Sequence, residues 1–281
     1  MEIGKINTLK VLRETDIAYL LTDGENEIFL HKKEAKKPYL DNEEIKVFLY
    51  SDNLGRITAS TKAPLIQLDE VKRLKVVNVK PRYGVFLDIG IVKDLLLSLD
   101  DLPEDLSKWP KEDDYVFVKM IEKHERLFAH IIGRKQLTDY NPNKEPLLEN
   151  QVVNANVMYL LEHGLVCFTE DFHEIFVHRN NFRKKYRIGE AISPKIIIQN
   201  SKDEYTATLI EQKELMLEKD ALYIIDYLNQ HQGVMPYTDK TSPEIISKVF
   251  HMSKSAFKRA LGSLYKTKKI KLDKEKTILN K

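Results

Sequence analysis

A pattern of two short apolar strands around a polar turn occurs three times along the chain. The copies cover residues 18–31, 84–98 and 164–178, and the first is one residue shorter than the others. Each copy ends in His or Ser and is followed, further along, by a second pair of alternating apolar and polar strands. Internal repetition of this kind indicates repeated structural units. The sequence therefore predicts three small β domains in a row.

Each repeat has the size of a small closed barrel. About five short strands fall in each unit, which is the strand number of the oligonucleotide-binding (OB) barrel. We place the three barrels at residues 1–63, 64–138 and 147–212. Between the last two, in TDYNPNKEP at residues 138–146, Pro, Asn and charged residues replace the periodic apolar residues. Such a composition is typical of a linker.

From residue 211 onward the apolar spacing changes from period two to the period of a helix. Leu222, Ile225 and Leu228 share one helix face, and Ser242 before Pro243 is typical of a helix N-terminus. A later helix has one apolar stripe, formed by Phe257, Ala260, Leu261 and Leu264. Two short strands, at 269–272 and 277–279, follow that helix. This order predicts a winged helix-turn-helix over residues 213–281. The predicted fold class is mainly β with a small α+β C-terminal domain: tandem OB barrels followed by a winged helix.

The composition is that of an ordinary globular protein, with 42% hydrophobic and 31% charged residues. No run of about 18 apolar residues occurs, and the first residues show no apolar core with a cleavage site. We therefore expect neither a membrane span nor a signal peptide, and we predict a cytoplasmic location. The single cysteine, Cys167, lies inside an apolar strand and is expected to be buried and reduced.

Sequence signatures of common enzyme classes are missing. The chain has no GxxxxGK[ST], HExxH, CxxC or GxSxG pattern. None of its eight His falls in metal-ligand spacing on one predicted helix. The neighbouring carboxylates Asp100 with Asp101, and Asp113 with Asp114, occupy turn-like positions. We therefore predict a protein without catalytic activity, without a cofactor and without a metal site.

The formal net charge of +2 is unevenly distributed. From Glu214 onward, 13 Lys and Arg stand against 8 Asp and Glu, whereas the preceding residues carry a small excess of acid. The stretch between Ile245 and Leu272 contains no acidic residue. A basic terminal domain on a nearly neutral body indicates a polyanionic partner.

The three barrels resemble the S1 RNA-binding domain. The resemblance is carried by YGVF at residues 83–86, by the strand ends IFLH and IFVH at 28–31 and 175–178, and by residues 45–62, which look like that domain's closing hairpin. The order of three such barrels and a terminal winged helix is similar to the bacterial conserved virulence factor B family. This resemblance covers nearly the whole chain. It implies an RNA-binding regulator of gene expression, including virulence-type genes, without catalytic activity.

In the S1 pattern, two aromatic residues flank a Gly and a His closes the next strand. These places are filled by Tyr83, Phe86 and Ser98 in the second repeat and by His163, Val166 and His178 in the third. The second repeat thus lacks the His, and the third lacks one aromatic residue. By this resemblance we predict RNA contacts for Tyr83, Phe86, His163 and His178. The alternative is that each is a scaffold residue, either buried or merely exposed.

A basic and aromatic run follows His178. Its candidate residues are Arg179, Phe182, Arg183, Lys184, Lys185, Tyr186 and Arg187. Aromatic side chains can stack on unpaired bases while cations guide phosphates, so the interleaving favours RNA binding. The alternative is a solvated charged loop.

The predicted winged helix carries a second set of cations. Those assigned to nucleic-acid binding are Lys254, Lys258, Arg259, Lys266, Lys268 and Lys269. The first three fall opposite the apolar stripe, on the face that a recognition helix presents to nucleic acid. They can neutralise phosphates but specify no sequence. The alternative is a lysine-rich solvated surface.

Together these patterns predict a cytoplasmic protein that binds single-stranded RNA, with messenger RNA as the expected form, and regulates gene expression after transcription. No membrane partner is expected. Two alternatives stay open. One is a transcription regulator that binds DNA through the winged helix, and the other is an adaptor that recruits RNA to a nuclease or ribosome complex.

Overall fold

The computed structural model describes residues 1–141, 144–210 and 213–280. The chain divides into two compact units. The first comprises Met1–Val177 and Tyr186–Ala207, and the second comprises His178–Lys185 and Thr208–Lys281. The first unit is built almost entirely from β-strands, whereas the second contains the three longer helices.

The first five strands form a closed barrel. They are β1 (Ile6–Glu14), β2 (Ala18–Thr22), β3 (Glu27–His31), β4 (Glu44–Ser51) and β5 (Ile57–Ser60). In the barrel order β1-β2-β3-β5-β4, neighbours are antiparallel except β3 and β5, which are parallel. Leu9, Val11 and Leu21 lie in the barrel core, as the period-two alternation predicts.

The second barrel repeats this topology. Its strands are β6 (Val71–Lys80), β7 (Gly84–Leu87), β8 (Leu95–Ser98), β9 (Tyr115–Lys123) and β10 (Arg126–His130), in the order β10-β8-β7-β6-β9. Gly84 begins β7 with a φ of +131°, and a Cβ atom there would lie 2.1 Å from the carbonyl oxygen of Leu97. Only glycine fits this close approach between β7 and β8.

The third repeat forms a six-stranded sheet. Its strands are β11 (Ala155–Leu161), β12 (Gly164–Phe168), β13 (Glu174–His178), β14 (Ala191–Ile192), β15 (Lys195–Ser201) and β16 (Glu204–Thr208), in the order β14-β11-β12-β13-β16-β15. The N–H of Ile196 in β15 donates to the carbonyl oxygen of Gln151, just before β11, at 2.8 Å. This bond joins the last strands of the repeat to its first segment, as the first and fourth strands are joined in each of the two barrels. Gly164 has the same need for a residue without a side chain as Gly84, since a Cβ atom added at Gly164 would lie 2.4 Å from the Val177 oxygen. Cys167 is buried, as predicted, and its thiol donates to the carbonyl oxygen of Ile175 at 3.3 Å.

Within the first unit the first barrel has an apolar core of its own, and a second apolar cluster joins all three β domains. Residues 47–51 of β4 are buried on both faces, because Phe48 and Tyr50 pack outward into the cluster that fills the second barrel. From the second barrel, Phe117 contacts the rings of Phe168 and Phe172 at centroid distances of 6.1 and 5.3 Å. The barrels of this unit are therefore packed together rather than strung on flexible connections.

The described residues of the segment predicted as a linker, 138–141 and 144–146, belong to the first compact unit and are partly buried. A short helix, α1 (Arg134–Thr138), leads into it. The ammonium group of Lys144 is buried and donates to the carbonyl oxygens of Thr138 and Phe172 at 2.6 and 2.9 Å. The apolar periodicity of the sequence does not predict this burial of Lys144, because polar groups make the contacts. Pro142 and Asn143 of the predicted linker lie outside the described residues.

The second unit contains the winged helix. Its elements are α2 (Lys213–Gln230), β17 (Val234–Met235), α3 (Pro243–Phe250), α4 (Lys254–Lys266), β18 (Ile270–Leu272) and β19 (Thr277–Leu279). The hydroxyl of Ser242 accepts from Ile245 N at 3.4 Å and that of Ser253 accepts from Ala256 N at 3.2 Å, so both helices have serine N-caps. The strands form a three-stranded sheet in the order β17-β19-β18, in which β17 was not predicted.

The predicted fold class is confirmed: the chain is mainly β, with OB-type barrels followed by a C-terminal winged helix. Among the described residues, no helix combines the length and the apolar character needed to cross a membrane.

Candidate nucleic-acid interface

A basic cleft of about 1100 Å³ lies within the second compact unit. One wall is the segment 179–185 after β13, and the others are parts of α2, α3 and α4. The predicted site residues that line it are Arg179, Phe182, Arg183, Lys184, Lys185 and Lys254. The structure therefore brings together two sets of candidates that are far apart in the sequence.

The segment that forms this wall begins with a capped turn. His178 precedes a 3₁₀ helix over Arg179–Asn181, and its Nδ1 accepts a hydrogen bond from Asn180 N at 3.2 Å. His31 makes the equivalent bond to Lys33 N at 3.1 Å in the first barrel, whereas Ser98 makes no such side-chain bond. The His that closes these strands thus has a structural role as a cap. A contact between His178 and RNA stays a prediction.

Arg183 anchors the segment to the winged helix. One of its guanidinium nitrogens, Nη1, lies 2.5 Å from Oδ1 of Asp220 in α2, and the Asp220 carboxylate is almost fully buried. Nearby, the guanidinium of Arg179 lies over the ring of Phe182 at 4.9 Å from its centroid. Lys184 and Lys185 are exposed. The wall therefore presents cations next to an aromatic ring in a fixed arrangement.

Tyr186 and Arg187 belong to the first unit and do not line the cleft, although the sequence groups them with the preceding residues. Arg187 donates to both carboxylate oxygens of Asp114, at 2.8 and 2.9 Å, and lies 3.1 Å from Glu190. Burial, with a smaller contribution from Glu190, raises the pKa of Tyr186. Arg187 is thus committed to an internal ion pair, which the charge pattern alone did not reveal.

Three other candidates lie on the barrels. Tyr83 is 62% exposed in the turn before β7, and His163 is exposed in the turn before β12. Phe86 is half-buried on β7, with Lys80 Nζ 5.4 Å from its ring centroid. None of the three lines the cleft, and their roles in RNA binding stay predictions.

The remaining winged-helix candidates are exposed on α4 or just after it. They are Lys258, Arg259, Lys266, Lys268 and Lys269. The ammonium of Lys258 lies 3.8 Å from Asp239, with both side chains about half exposed. Such a pair contributes little to stability and leaves the cation accessible to solvent.

The structure adds cleft residues that the sequence did not single out. Lys219 and Tyr223 lie one turn apart on α2, and His251 follows α3. Tyr223 is 44% exposed and supplies a second aromatic ring. The helical spacing of Lys219 and Tyr223 was a usable signal, because it places both side chains on one face of α2. Only the apolar face of α2 was interpreted from the sequence.

Comparison with known proteins identifies the family. Residues 3–62 match the S1 domain, residues 73–130 match the CvfB first S1-like domain, and residues 223–279 match the CvfB-like winged helix domain. "Conserved virulence factor B" of Staphylococcus aureus is 31% identical over 99% of this chain and 94% of that protein. The chain belongs to the conserved virulence factor B family, as its sequence pattern indicated.

Two further relatives span nearly the whole chain. "Uncharacterized protein YitL" of Bacillus subtilis is 32% identical over 96% of this chain and 91% of that protein. A crystal structure from Streptococcus pneumoniae, described as a multidomain protein with nucleic acid binding domains, superposes with a TM-score of 0.66. It is 27% identical and covers 99% of this chain and 98% of its own. S1 and winged-helix domains are nucleic-acid-binding folds, so the comparisons support a nucleic-acid partner.

Proposed function

We propose that this protein binds single-stranded RNA in the cytoplasm and regulates gene expression after transcription, with messenger RNA as its ligand and without catalytic activity. The name of the S. aureus relative supports a role in the expression of virulence-type genes. The observation that carries the proposal is the basic cleft of the second unit, where aromatic rings and cations line one concave surface.

The chemistry of the cleft favours a single strand over a duplex. Phe182 and Tyr223 can stack only on bases that are unpaired and exposed. Arg179, Lys184 and Lys185 can follow the phosphates of the same strand, and Lys254 at the start of α4 adds a further cation. In duplex DNA the base faces are hidden within the stack, so the aromatic residues would gain nothing from binding.

The proposal is tested by titrating the full chain with single-stranded RNA, single-stranded DNA and duplex DNA of matched length at two salt concentrations. We expect the tightest binding for single-stranded RNA, together with a marked loss of affinity at high salt. A variant with Lys184→Gln and Lys185→Gln should weaken binding. A matched variant with Lys10→Gln and Lys46→Gln, two exposed lysines of the first barrel, should bind like the unchanged protein.

A second candidate function is binding of duplex DNA through α4. It is favoured by the exposed Lys258, Arg259 and Lys266 on the helix that a winged helix inserts into a major groove. Equal or tighter binding of duplex DNA in the same titration would overturn the RNA proposal and support this one.

A further inference from the structure

An acidic residue lies among the cations of the basic cleft. Asp220 of α2 lines the same surface as Arg179, Lys184 and Lys185. A carboxylate in this position repels the phosphates of a nucleic acid, so its charge alone opposes the binding proposed for the cleft. The presence of Asp220 there therefore requires an explanation other than attraction of the ligand.

The Asp220 carboxylate is held in one place by its helix. The next residue and the residues one and two turns further along α2 are buried in the apolar core of the second unit; they are Ala221, Ile224 and Leu228. The Asp220 side chain itself is only 7% exposed, and its Oδ1 lies 2.5 Å from Nη1 of Arg183. An acceptor on a packed helix is a more precise support than one on a loop.

Stability alone does not account for this ion pair. A buried pair of charges loses much of its hydration, and apolar residues of similar volume often stabilise a fold equally well or better. The pair is also asymmetric, because the Arg183 side chain is 28% exposed and lines the cleft, whereas Asp220 is almost fully buried. The carboxylate thus engages one part of the guanidinium and leaves the rest accessible from the cleft.

A guanidinium can contact a carboxylate and a phosphate at the same time. It is planar, always charged, and carries five N–H donors in a fixed fork. In Arg183 one nitrogen, Nη1, donates to Asp220. The N–H groups on the other nitrogens can serve a second acceptor, and a phosphate matches their geometry.

The same pair fixes the loop that carries the other cations. The carbonyl oxygen of Asn181 accepts a hydrogen bond from Leu209 N at 2.9 Å, and Arg183 is bound to Asp220 two residues later. Phe182 lies between these two attachments, and the exposed lysine pair follows the second one directly. Loss of the Asp220 contact would therefore release one side of the aromatic residue and the start of the lysine pair.

We infer that Asp220 is a positioning residue for RNA binding: its carboxylate orients the Arg183 guanidinium so that the remaining N–H groups bind a phosphate of the strand in the cleft. This inference rests on the proposed function and explains why a basic cleft contains an acid. It also predicts the sign of a measurable effect. Removing the charge of Asp220 should weaken RNA binding, although simple repulsion predicts that the same change strengthens it.

The first test is Asp220→Ala in the full chain, titrated with a single-stranded RNA of about 12 nucleotides at several salt concentrations. We expect the affinity to fall about tenfold, as is typical when the partner that orients a binding side chain is removed. The slope of log K against log salt should flatten by about 0.7, because one phosphate contact is lost. Asp220→Asn, which removes the charge but keeps an amide oxygen as acceptor, should cause a smaller loss. Asp226→Ala removes an exposed carboxylate of the same helix that does not line the cleft, and it should not weaken binding.

A double-mutant cycle shows whether Asp220 acts through Arg183. If it does, Asp220→Ala should weaken RNA binding by the unchanged protein and should have no such effect once Arg183→Gln is present. Arg183→Lys keeps the charge but loses the planar fork, so it should weaken binding several-fold. Arg13→Lys, at an exposed arginine of the first barrel, should not. Thermal unfolding of each variant verifies the fold.

The outcomes separate the inference from the proposed function. Equal or tighter RNA binding by the Asp220→Ala variant would show that Asp220 only repels the strand, so the inference would be wrong while the proposed function stands. A weaker affinity with an unchanged salt slope and a lower unfolding temperature would assign the pair to stability alone, and would also overturn the inference. If the unchanged protein fails to bind single-stranded RNA, the proposed function is wrong and the inference with it.

Discussion

The basic run at residues 182–187 is divided between the two compact units. Its two arginines, Arg183 and Arg187, have different partners in the two units. In the first unit, Arg187 engages both oxygens of Asp114 and approaches Glu190. In the second, Arg183 pairs with Asp220, while Lys184 and Lys185 remain exposed beside the cleft. Neighbouring cations of one run thus have different roles. The difference depends on carboxylates 73 and 37 residues away along the chain.

The largest expected effect comes from breaking the architecture of the first unit while leaving the cleft residues unchanged. Gly84→Ala would place a Cβ atom 2.1 Å from the Leu97 oxygen, in a backbone conformation that favours glycine. We expect a loss of roughly 3–5 kcal/mol in the free energy of unfolding, measured by urea denaturation.

Gly24→Ala is the matched control for this change. Gly24 also has a positive φ, +105°, but no atom lies within 4 Å of its added Cβ. This substitution should therefore cost only about 1–2 kcal/mol from backbone strain. Equal losses in the two variants would show that backbone strain, and not the close approach of β7 and β8, accounts for Gly84.

The next prediction separates the two parts of the basic run. Arg187→Gln leaves the largely buried Asp114 carboxylate without its cation, so it should cost about 1–3 kcal/mol of stability. It should leave the salt dependence of RNA binding unchanged.

The combined Lys184→Gln and Lys185→Gln variant should retain its stability. Its slope of log K against log salt should flatten by about 1.4, since each phosphate contact on a single strand contributes about 0.7.

Thermal unfolding and RNA titration on the same two proteins check this prediction. A flatter salt slope in the Arg187→Gln variant, with unchanged stability, would place Arg187 at a phosphate and contradict the internal role that the structure gives it.

The barrels and the winged helix could be predicted from the sequence because their cores follow simple periods. Alternating residues such as Leu9 and Val11 are buried together, and the stripe of Phe257 and Leu261 fills the winged-helix core. Those periods record which residues face the interior. They carry no information about which polar groups meet across the fold, so the burial of Lys144 was missed.

The candidate site was predictable only in part for the same reason. Arg179, Phe182 and Lys185 were identified by their composition, and the structure places them on one wall of the cleft. Tyr223 was missed because α2 was interpreted only from its apolar positions. The pairing of Arg187 with Asp114 joins residues 73 positions apart, and no local pattern identifies such a pair.

A smaller effect is expected from a buried histidine in the first unit. Nε2 of His173 lies 2.7 Å from the Glu145 oxygen and Nδ1 lies 3.2 Å from the Thr169 hydroxyl. Burial is the main cause that lowers its pKa from the ordinary value of 6.5. The unfolded chain therefore binds a proton more readily than the folded one. The stabilisation from neutral His173 is complete above the unfolded pKa and declines as the pH falls below it.

This contribution is measured by urea denaturation between about pH 5 and pH 8. The His173→Gln variant should lose the part of the decline below about pH 6.5 that His173 causes. The control, His163→Gln, alters an exposed histidine of the same β domain and should retain the decline. If the His173 variant shows the same pH profile as the unchanged protein, the buried ring does not contribute to the acid sensitivity of the first unit.

The smallest effect distinguishes the cleft from the outer face of α4. Gly262 lies inside this helix, and a Cβ atom added there would meet nothing within 4 Å. Because glycine disfavours a helix interior relative to alanine, Gly262→Ala should stabilise the second unit by up to about 1 kcal/mol. Gly262 does not line the cleft, so binding of single-stranded RNA should be unchanged.

If α4 instead docks closely against a DNA groove, the added methyl group should weaken duplex DNA binding while the protein becomes more stable. Opposite signs for stability and DNA affinity would therefore favour the DNA alternative, whereas greater stability with unaltered RNA affinity is the result expected from binding in the cleft.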